Sequence, residues 1–333
     1  MRIAIDAMGG DHAPGEIVRG AVQGLAFVGA QDEIVLIGQE PAVASELARL
    51  GERDQRICVE HASQVIGMDD VPVEALKQKK DSSIVRMAAL AAEKRVQAVI
   101  SAGNTGACVA ACQLKMRTLG HVARPGIAVV LPSFHGPIVI CDVGANVAPK
   151  PFHLLQYAQM ASAYSATMLN VARPRVGLLS IGEEEVKGNV LVKEARSLIK
   201  ADASLNYVGN VEGRDIFKDV VDVVVCDGFV GNIVLKLTEG LAEGLFKTIA
   251  TEIEADIPDL ADRFHPVVDS VWRRHDYAEY GGAPLLGVDG VCIICHGRSD
   301  ARAIMNAVRV AHQFVSTQLN DEIQKRITRE PDA

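Results

Sequence analysis

Short apolar runs alternate with amphipathic segments of about 10 to 20 residues along almost the whole chain, the rhythm of βα units wrapped around a mostly parallel sheet. Strands are predicted at Arg2–Asp6, Glu33–Ile37, Ile57–Glu60, Ala98–Ser101, Ile127–Leu131, Pro137–Asp142, Arg175–Ile181, Asn206–Gly209, Val221–Cys226 and Val291–Cys295. Several are apolar without interruption, as strands buried on both faces are. Helices are predicted between them at Pro14–Val28, Ser83–Lys94, Thr105–Thr118, His153–Val171, Val190–Lys200 and Asp300–Gln318. The stretch from Gly231 to Tyr280 breaks the rhythm, with helical periodicity and no strand. Apolar positions at Ile257, Leu260, Phe264, Val267 or Val268, and Val271 or Trp272, with Pro258 and Pro266, predict a helical hairpin over about 233–280 that projects from a single α/β domain spanning 1–333. Dimer packing explains such a hairpin more simply than membrane contact through Trp272, Arg273 and Arg274.

Composition narrows the class. A chain of 333 residues with 49% hydrophobic and 4% aromatic side chains can bury a large aliphatic core, which excludes disorder. A net charge of −8 opposes any general affinity for nucleic acid or anionic lipid, so an acidic partner must meet a local basic patch. The start of the chain has no signal-peptide core, and no apolar run approaches the roughly 18 residues that span a bilayer. A cytoplasmic location is expected. Seven cysteines scattered through apolar segments fit reduced core thiols. Cys292-Ile-Ile-Cys295-His296 spells a haem-attachment pattern, but its spacing within a strand sends the two thiols to opposite sheet faces. Cys108 and Cys112 share a helix face, and without further Cys or His ligands nearby in sequence they read as core.

Nearly every predicted strand ends in small and polar residues, where open α/β sheets place ligands. Asp6-Ala-Met-Gly9-Gly10-Asp11-His12 lacks the Gly-x-Gly-x-x-Gly fingerprint of dinucleotide sites. Ser101-Ala-Gly103-Asn104-Thr105-Gly106 leaves backbone N–H groups free at a helix start, which suits a free phosphate; no Gly-Lys-Ser/Thr completes an ATP-binding loop. A capped turn explains the same residues almost as well. Asp142-Val-Gly-Ala-Asn146 and Asp227-Gly-Phe-Val-Gly-Asn232 each carry an acid and an amide around glycine, and all these loops are expected at one sheet edge. Ser180 to Asn189 holds Gly182, three carboxylates and Lys187, a cation able to pair with phosphate. His296-Gly-Arg-Ser299 closes the series. No Gly-x-Ser-x-Gly elbow or activated cysteine indicates an acyl-enzyme, and the nine histidines form no zinc-binding pair.

Taken together, IAIDAMGGDHAP from Ile3, SAGNTGA from Ser101, DVGAN from Asp142, IGEEEVKGN from Ile181, DVVVCDGFVGN from Asp222, and YGGAPLLGVDG from Tyr280 with HGRS from His296 resemble the PlsX family of phosphate acyltransferases. The match runs from Arg2 to about Gln318, and the hairpin is its least matched part. The resemblance implies a three-layer αβα, Rossmann-like fold similar to phosphotransacetylases and isocitrate-type dehydrogenases. It implies transfer of a fatty acyl group from acyl carrier protein to inorganic phosphate, giving acyl phosphate for phospholipid synthesis. A homodimer without cofactor or metal is expected, with peripheral membrane contact and a membrane acyltransferase as further partners. The family's functional motifs fall on Lys187 and Asn232: Lys187 is expected to neutralise phosphate, and Asn232 to fix it or to donate to the oxyanion. Ser101, Gly103, Asn104, Thr105 and Gly106 are expected to cradle phosphate, with Asp142, Asn146, Gly182, Asn189, Asp227 and His296 also at the substrate. Asp6, Gly9, Gly10, Asp11 and His12 are expected to orient loops. Carrier protein is acidic, so docking is expected at Lys77, Lys79 and Lys80 or at Arg273 and Arg274. The same loops could serve a phosphotransacetylase acting on acyl-CoA, and a non-catalytic adaptor at a membrane or carrier protein is the alternative of a different class.

Overall fold

The computed structural model describes residues 1–256, 263–264, 266–267 and 277–329. One sheet orders eleven strands as β3-β2-β1-β4-β11-β10-β5-β6-β9-β7-β8. In chain order these are β1 (Arg2–Asp6), β2 (Glu33–Gly38), β3 (Ile57–His61), β4 (Ala98–Ser101), β5 (Gly126–Ser133), β6 (Gly136–Cys141), β7 (Arg175–Leu179), β8 (Asn206–Val211), β9 (Val223–Val225), β10 (Ala283–Leu286) and β11 (Val291–Ile294). The described helices are α1 (Gly15–Gly24), α2 (Glu40–Leu50), α3 (Pro72–Gln78), α4 (Ser83–Ala92), α5 (Thr105–Met116), α6 (Pro151–Met168), α7 (Val190–Ala201), α8 (Gly228–Asp256), α9 (Ala301–Ser316) and α10 (Leu319–Arg326). None is long and apolar enough to cross a membrane.

Strand alternation makes two cores, one per sheet face. In β1, Ile3 and Ile5 join the core formed with α1, α6 and α9, while Ala4 joins the one formed with α4 and α5. Three layers result. Cys292 and Cys295 of β11 fall into opposite cores, as their spacing predicts.

Strand direction reverses partway across the sheet. The strands β3, β2, β1, β4 and β11 run parallel, β10 runs antiparallel to β11 and to β5, and the hairpin at Phe134 and His135 makes β6 antiparallel to β5. The strands β9, β7 and β8 then follow β6 in parallel. Two parallel blocks therefore run in opposite senses, and the expectation of a single carboxyl edge is corrected. The strand β10 escapes the apolar pattern because it is four residues long, follows Gly281-Gly282 and contains Pro284. Its pairing is split: Ala283 and Pro284 register with β11, Leu285 and Leu286 with β5. The outgoing limb of the expected hairpin is the single helix α8. Ile257, Pro258, Leu260, Val268, Val271, Trp272, Arg273 and Arg274 lie outside the described residues.

Candidate active site

Two adjacent strands of the first block end in a buried polar knot. The Asp6 carboxylate, 1% exposed, accepts from Ser101 Oγ at 2.8 Å and from the Met8 N–H at 3.1 Å. Burial raises the Asp6 carboxyl above its ordinary range, against hydrogen bonds from Ser83 and Ser101 that favour the charged form. Ser101 Oγ in turn accepts from the Gly103 N–H at 3.1 Å. A Cβ on Gly9 would lie 2.4 Å from Asp6 Oδ2 and 2.6 Å from the Gly103 nitrogen, so the two loops touch through backbone. Asn104 caps α5 by accepting from the Ala107 N–H at 3.0 Å, and its amide donates to the carbonyls of Gly67, Met68 and Asp70. Ser101 and Asn104 thus spend these polar groups inside the protein, while Thr105 and Gly106 open α5 onto a cavity. Past Gly10, at φ +107°, the exposed Asp11 donates its N–H to the Gly297 carbonyl at 2.7 Å, tying the first loop to the one after β11. His12 beside it is exposed.

The second block repeats the device. Fully buried Asp142 accepts at Oδ1 from the N–H groups of Ile127, Gly144 and Ala145, each at 3.0 Å, and at Oδ2 from Asn146 at 2.7 Å. Burial raises its carboxyl as well, opposed by those bonds. The Asn146 side-chain amide donates to Pro125 O at 2.7 Å. Asp227 caps α8 through the Phe229 and Val230 N–H groups at 3.0 and 2.9 Å. The first turn of α8 is pressed onto the 142–146 loop, since a Cβ on Gly231 would meet Asp142 O at 1.9 Å. This contact fixes where exposed Asn232 stands.

The third loop of this block follows β7, which neighbours β9 in the sheet. Asn189 caps α7 by accepting from Val192 N–H at 2.9 Å, and Glu185 pairs with Lys200 at 2.7 Å. Gly182 is buried against Lys187, whose methylene Cγ would lie 2.8 Å from an added Cβ. Lys187 itself is exposed, and its ammonium has no partner among the described residues. The order β6-β9-β7 sets the loops of Asp142, Asn232 and Lys187 side by side at one edge, although Lys187 is not on the cavity wall.

That cavity, of about 490 Å³, joins the blocks. From the first come Asp11, Thr105, Gly106, His296 and Arg298, and from the second Gly144, Asn232, Lys236 and Glu239. Ile127, Val129, Val130, Val143, Leu235 and Ile294 supply an apolar wall. Half-buried His296 has its pKa lowered by burial and then by Lys236 and Arg298, outweighing Glu239 and Asp11. Its Nδ1 accepts from the Arg298 N–H at 3.2 Å, which places the proton of the neutral ring on Nε2. Lys236 pairs with Glu239 at 2.7 Å.

Of the residues singled out in the sequence, the cavity gathers Asp11, Thr105, Gly106, Asn232 and His296. Ser101, Gly103, Asn104, Asp142, Asn146 and Asp227 brace its surroundings through the bonds above, while Asn189 caps α7 in the loop of Lys187, off the cavity wall. Sequence reasoning missed Gly144, Lys236, Glu239 and Met68 on the wall. A signal for Lys236 exists: it lies one helical turn beyond Asn232, on the same face of α8. Met68 carries no such signal. Of the expected docking lysines, Lys77 and Lys80 are exposed and Lys79 is paired with Asp70.

Residues 1–322 match the family described as fatty acid synthesis protein. Relatives named phosphate acyltransferase share 49% identity in Heliobacterium modesticaldum, over 98% of both chains, and 47% in Desulfitobacterium hafniense, over 99% of this chain and 98% of the relative. Among solved structures, a phosphotransacetylase from Streptococcus pyogenes superposes with a TM-score of 0.65 at 18% identity, covering 95% of this chain and 94% of that one. A branched-chain phosphotransacylase from Enterococcus faecalis gives 0.58 at 14%, covering 94% and 98%. At those identities the structures support the Rossmann-like fold alone. The strings at the strand ends, the family match over nearly the whole chain and relatives near half identity agree: the chain belongs to the PlsX family of phosphate acyltransferases and is an acyltransferase enzyme.

Proposed function

We propose that the chain transfers a fatty acyl group from acyl carrier protein to inorganic phosphate, forming acyl phosphate for phospholipid synthesis. The observation that carries this reading is the cavity lined both by Thr105, Asn232, Lys236, His296 and Arg298 and by aliphatic side chains. An anion and a long hydrocarbon need those two surfaces in one place. In the reaction a phosphate oxygen attacks the thioester carbonyl, the new C–O bond replaces the C–S bond, and the carrier thiol leaves with a proton. The protein must hold phosphate, orient the thioester and stabilise the oxyanion. Lys187, from the neighbouring loop off the cavity wall, is assigned to the phosphate charge and Asn232 to the phosphate or the oxyanion, the α5 start to further phosphate contacts, and the buried Asp6 and Asp142 to loop orientation. The enzyme is expected to work in the cytoplasm as a homodimer, at the membrane periphery, handing product to a membrane acyltransferase.

Phosphate-dependent release of acyl phosphate from a defined acyl carrier tests the reading. Equal or better turnover of acyl-CoA would favour a phosphotransacetylase, and no release from either donor would favour an adaptor. Lys187→Ala and Asn232→Ala are expected to lose far more than tenfold, or about 1.4 kcal/mol of transition-state stabilisation. Transfer within tenfold of wild type would remove their assignment.

A further inference from the structure

Three of the seven cysteines meet in the core from elements far apart in sequence. Cys108 and Cys112 lie one turn apart on α5, and Cys292 comes from β11. The Cys292 sulfur is 3.9 Å from that of Cys108 and 3.6 Å from that of Cys112, and all three lie within 4.8 Å of one another. Sequence spacing alone showed a pair lacking further ligands; the crossing of α5 over β11 supplies the third. All three are at most 1% exposed.

Three thiolates bound about 2.3 Å from a closed-shell ion stand about 3.8 Å apart in tetrahedral geometry and about 4.0 Å apart in trigonal geometry. The two separations to Cys292, 3.9 and 3.6 Å, already have that scale, and the third is at most 4.8 Å. The donor set selects the metal. Three soft sulfurs favour Cu(I) or Zn(II) over harder cations, and zinc asks for a fourth ligand. Among the described residues the cluster holds three His, Cys, Asp or Glu donors and no fourth. Three-coordinate Cu(I) is the ion this set satisfies.

We propose that Cys108, Cys112 and Cys292 form a binding site for one monovalent copper ion. Each thiol that ligates releases its proton to solvent, and copper stays in the +1 state. Thr105 and Gly106 line the cavity at the start of α5, and Cys108 lies one turn further along the same helix. Occupancy would brace the helix opened by the Ser101–Gly106 loop against the strand that leads to His296, coupling the metal to both walls of the first block. The inference rests on sulfur geometry and does not depend on the acyl donor proposed above.

The test titrates the reduced, purified full chain with Cu(I) under anaerobic conditions against a competing chromogenic Cu(I) chelator, and records X-ray absorption of the loaded protein. One copper per chain with three sulfur neighbours is expected. Cys292→Ala and Cys112→Ala are expected to weaken retention at least tenfold, and Cys58→Ala, in β3, to leave it unchanged. No retention by wild type, unchanged retention in Cys292→Ala, or fewer than three sulfurs at the metal would each overturn the proposal. So would Zn(II) held more tightly than Cu(I) in a four-coordinate site. If a variant does not fold, the stoichiometry and sulfur count of the wild-type protein decide.

Discussion

Glycine at position 231 makes a sharp prediction, because the same substitution elsewhere on the same helix should have the opposite sign. A methyl group at 231 would sit 1.9 Å from Asp142 O and 2.9 Å from Cys226 Sγ, the first more than 1 Å inside the 3.0 Å that real contacts keep. The obstacle is a backbone carbonyl, so no rotamer change relieves it. Either α8 or the 142–146 loop must move. Overpacking of this kind costs about 1–3 kcal/mol, and a rigid obstacle puts Gly231→Ala near 3 kcal/mol. At roughly 2–4 °C per kcal/mol for larger domains, the melting temperature should fall by about 6 °C or more. Asn232 would move with its neighbour, and a displacement of about 1 Å at a reacting centre can cost about a hundredfold in rate. Gly240 lies in the same helix with nothing within 4 Å of an added Cβ. There alanine removes only the flexibility of glycine, so Gly240→Ala should stabilise by about 0.5–1 kcal/mol. Thermal and denaturant melts of both variants, with acyl transfer measured on the folded protein, check the pair. The reasoning fails if Gly231→Ala melts with wild type and transfers at its rate, or if Gly240→Ala destabilises as much.

Other expectations follow from the same geometry. Ser101→Ala removes the donor that Asp6 accepts in a buried site and should cost about 1–3 kcal/mol in a denaturant titration. A change confined to the phosphate KM with normal stability would instead place the hydroxyl at substrate. For Asp222, burial raises the pKa, but hydrogen bonds from the Arg175 side chain and backbone outweigh it and hold the carboxyl below 3.8. A depressed carboxyl stabilises the fold above its unfolded pKa and loses that contribution as pH falls through the folded one. Asp222→Asn should therefore flatten the acid limb of the stability curve below about pH 4, and an unchanged limb would rule the pair out as its source. The His296 imidazole should titrate below 6.5 by NMR, leaving the ring neutral at pH 7; a midpoint above that value would contradict its burial beside Lys236 and Arg298.

Much of this molecule is local and therefore legible in sequence. Apolar runs, several of them uninterrupted, mark ten of the eleven strands, and short polar residues stand at or just past the ends of β1, β4, β6 and β9, as Asp6, Ser101, Asp142 and Asp227 do. Asn104, Asn189 and Asp227 do at their helix starts what short polar side chains do there regardless of the rest of the fold. The order of the strand-end strings suffices to indicate the family. Strand direction is different, because the side-chain period of two is the same whichever way a strand runs. The reversal at the β5–β6 hairpin, and with it the division of the loops between two blocks, is settled only by pairing.

The cavity likewise depends on distance in space. Thr105 and Asn232 are 127 positions apart, and Met68 and Glu239 reach the same wall from elements that no periodicity connects. Sequence marks the glycines and short polar residues that permit close approach, but tertiary packing decides which approach occurs. Gly231 against the Asp142 carbonyl and Cys292 against Cys112 are both consequences of how a helix crosses a strand. The sequence by itself determined the alternating elements, their caps and the family. Only the folded chain decided strand sense, the meeting of the two blocks and the contacts made there, since those depend on non-local packing that a linear pattern does not encode.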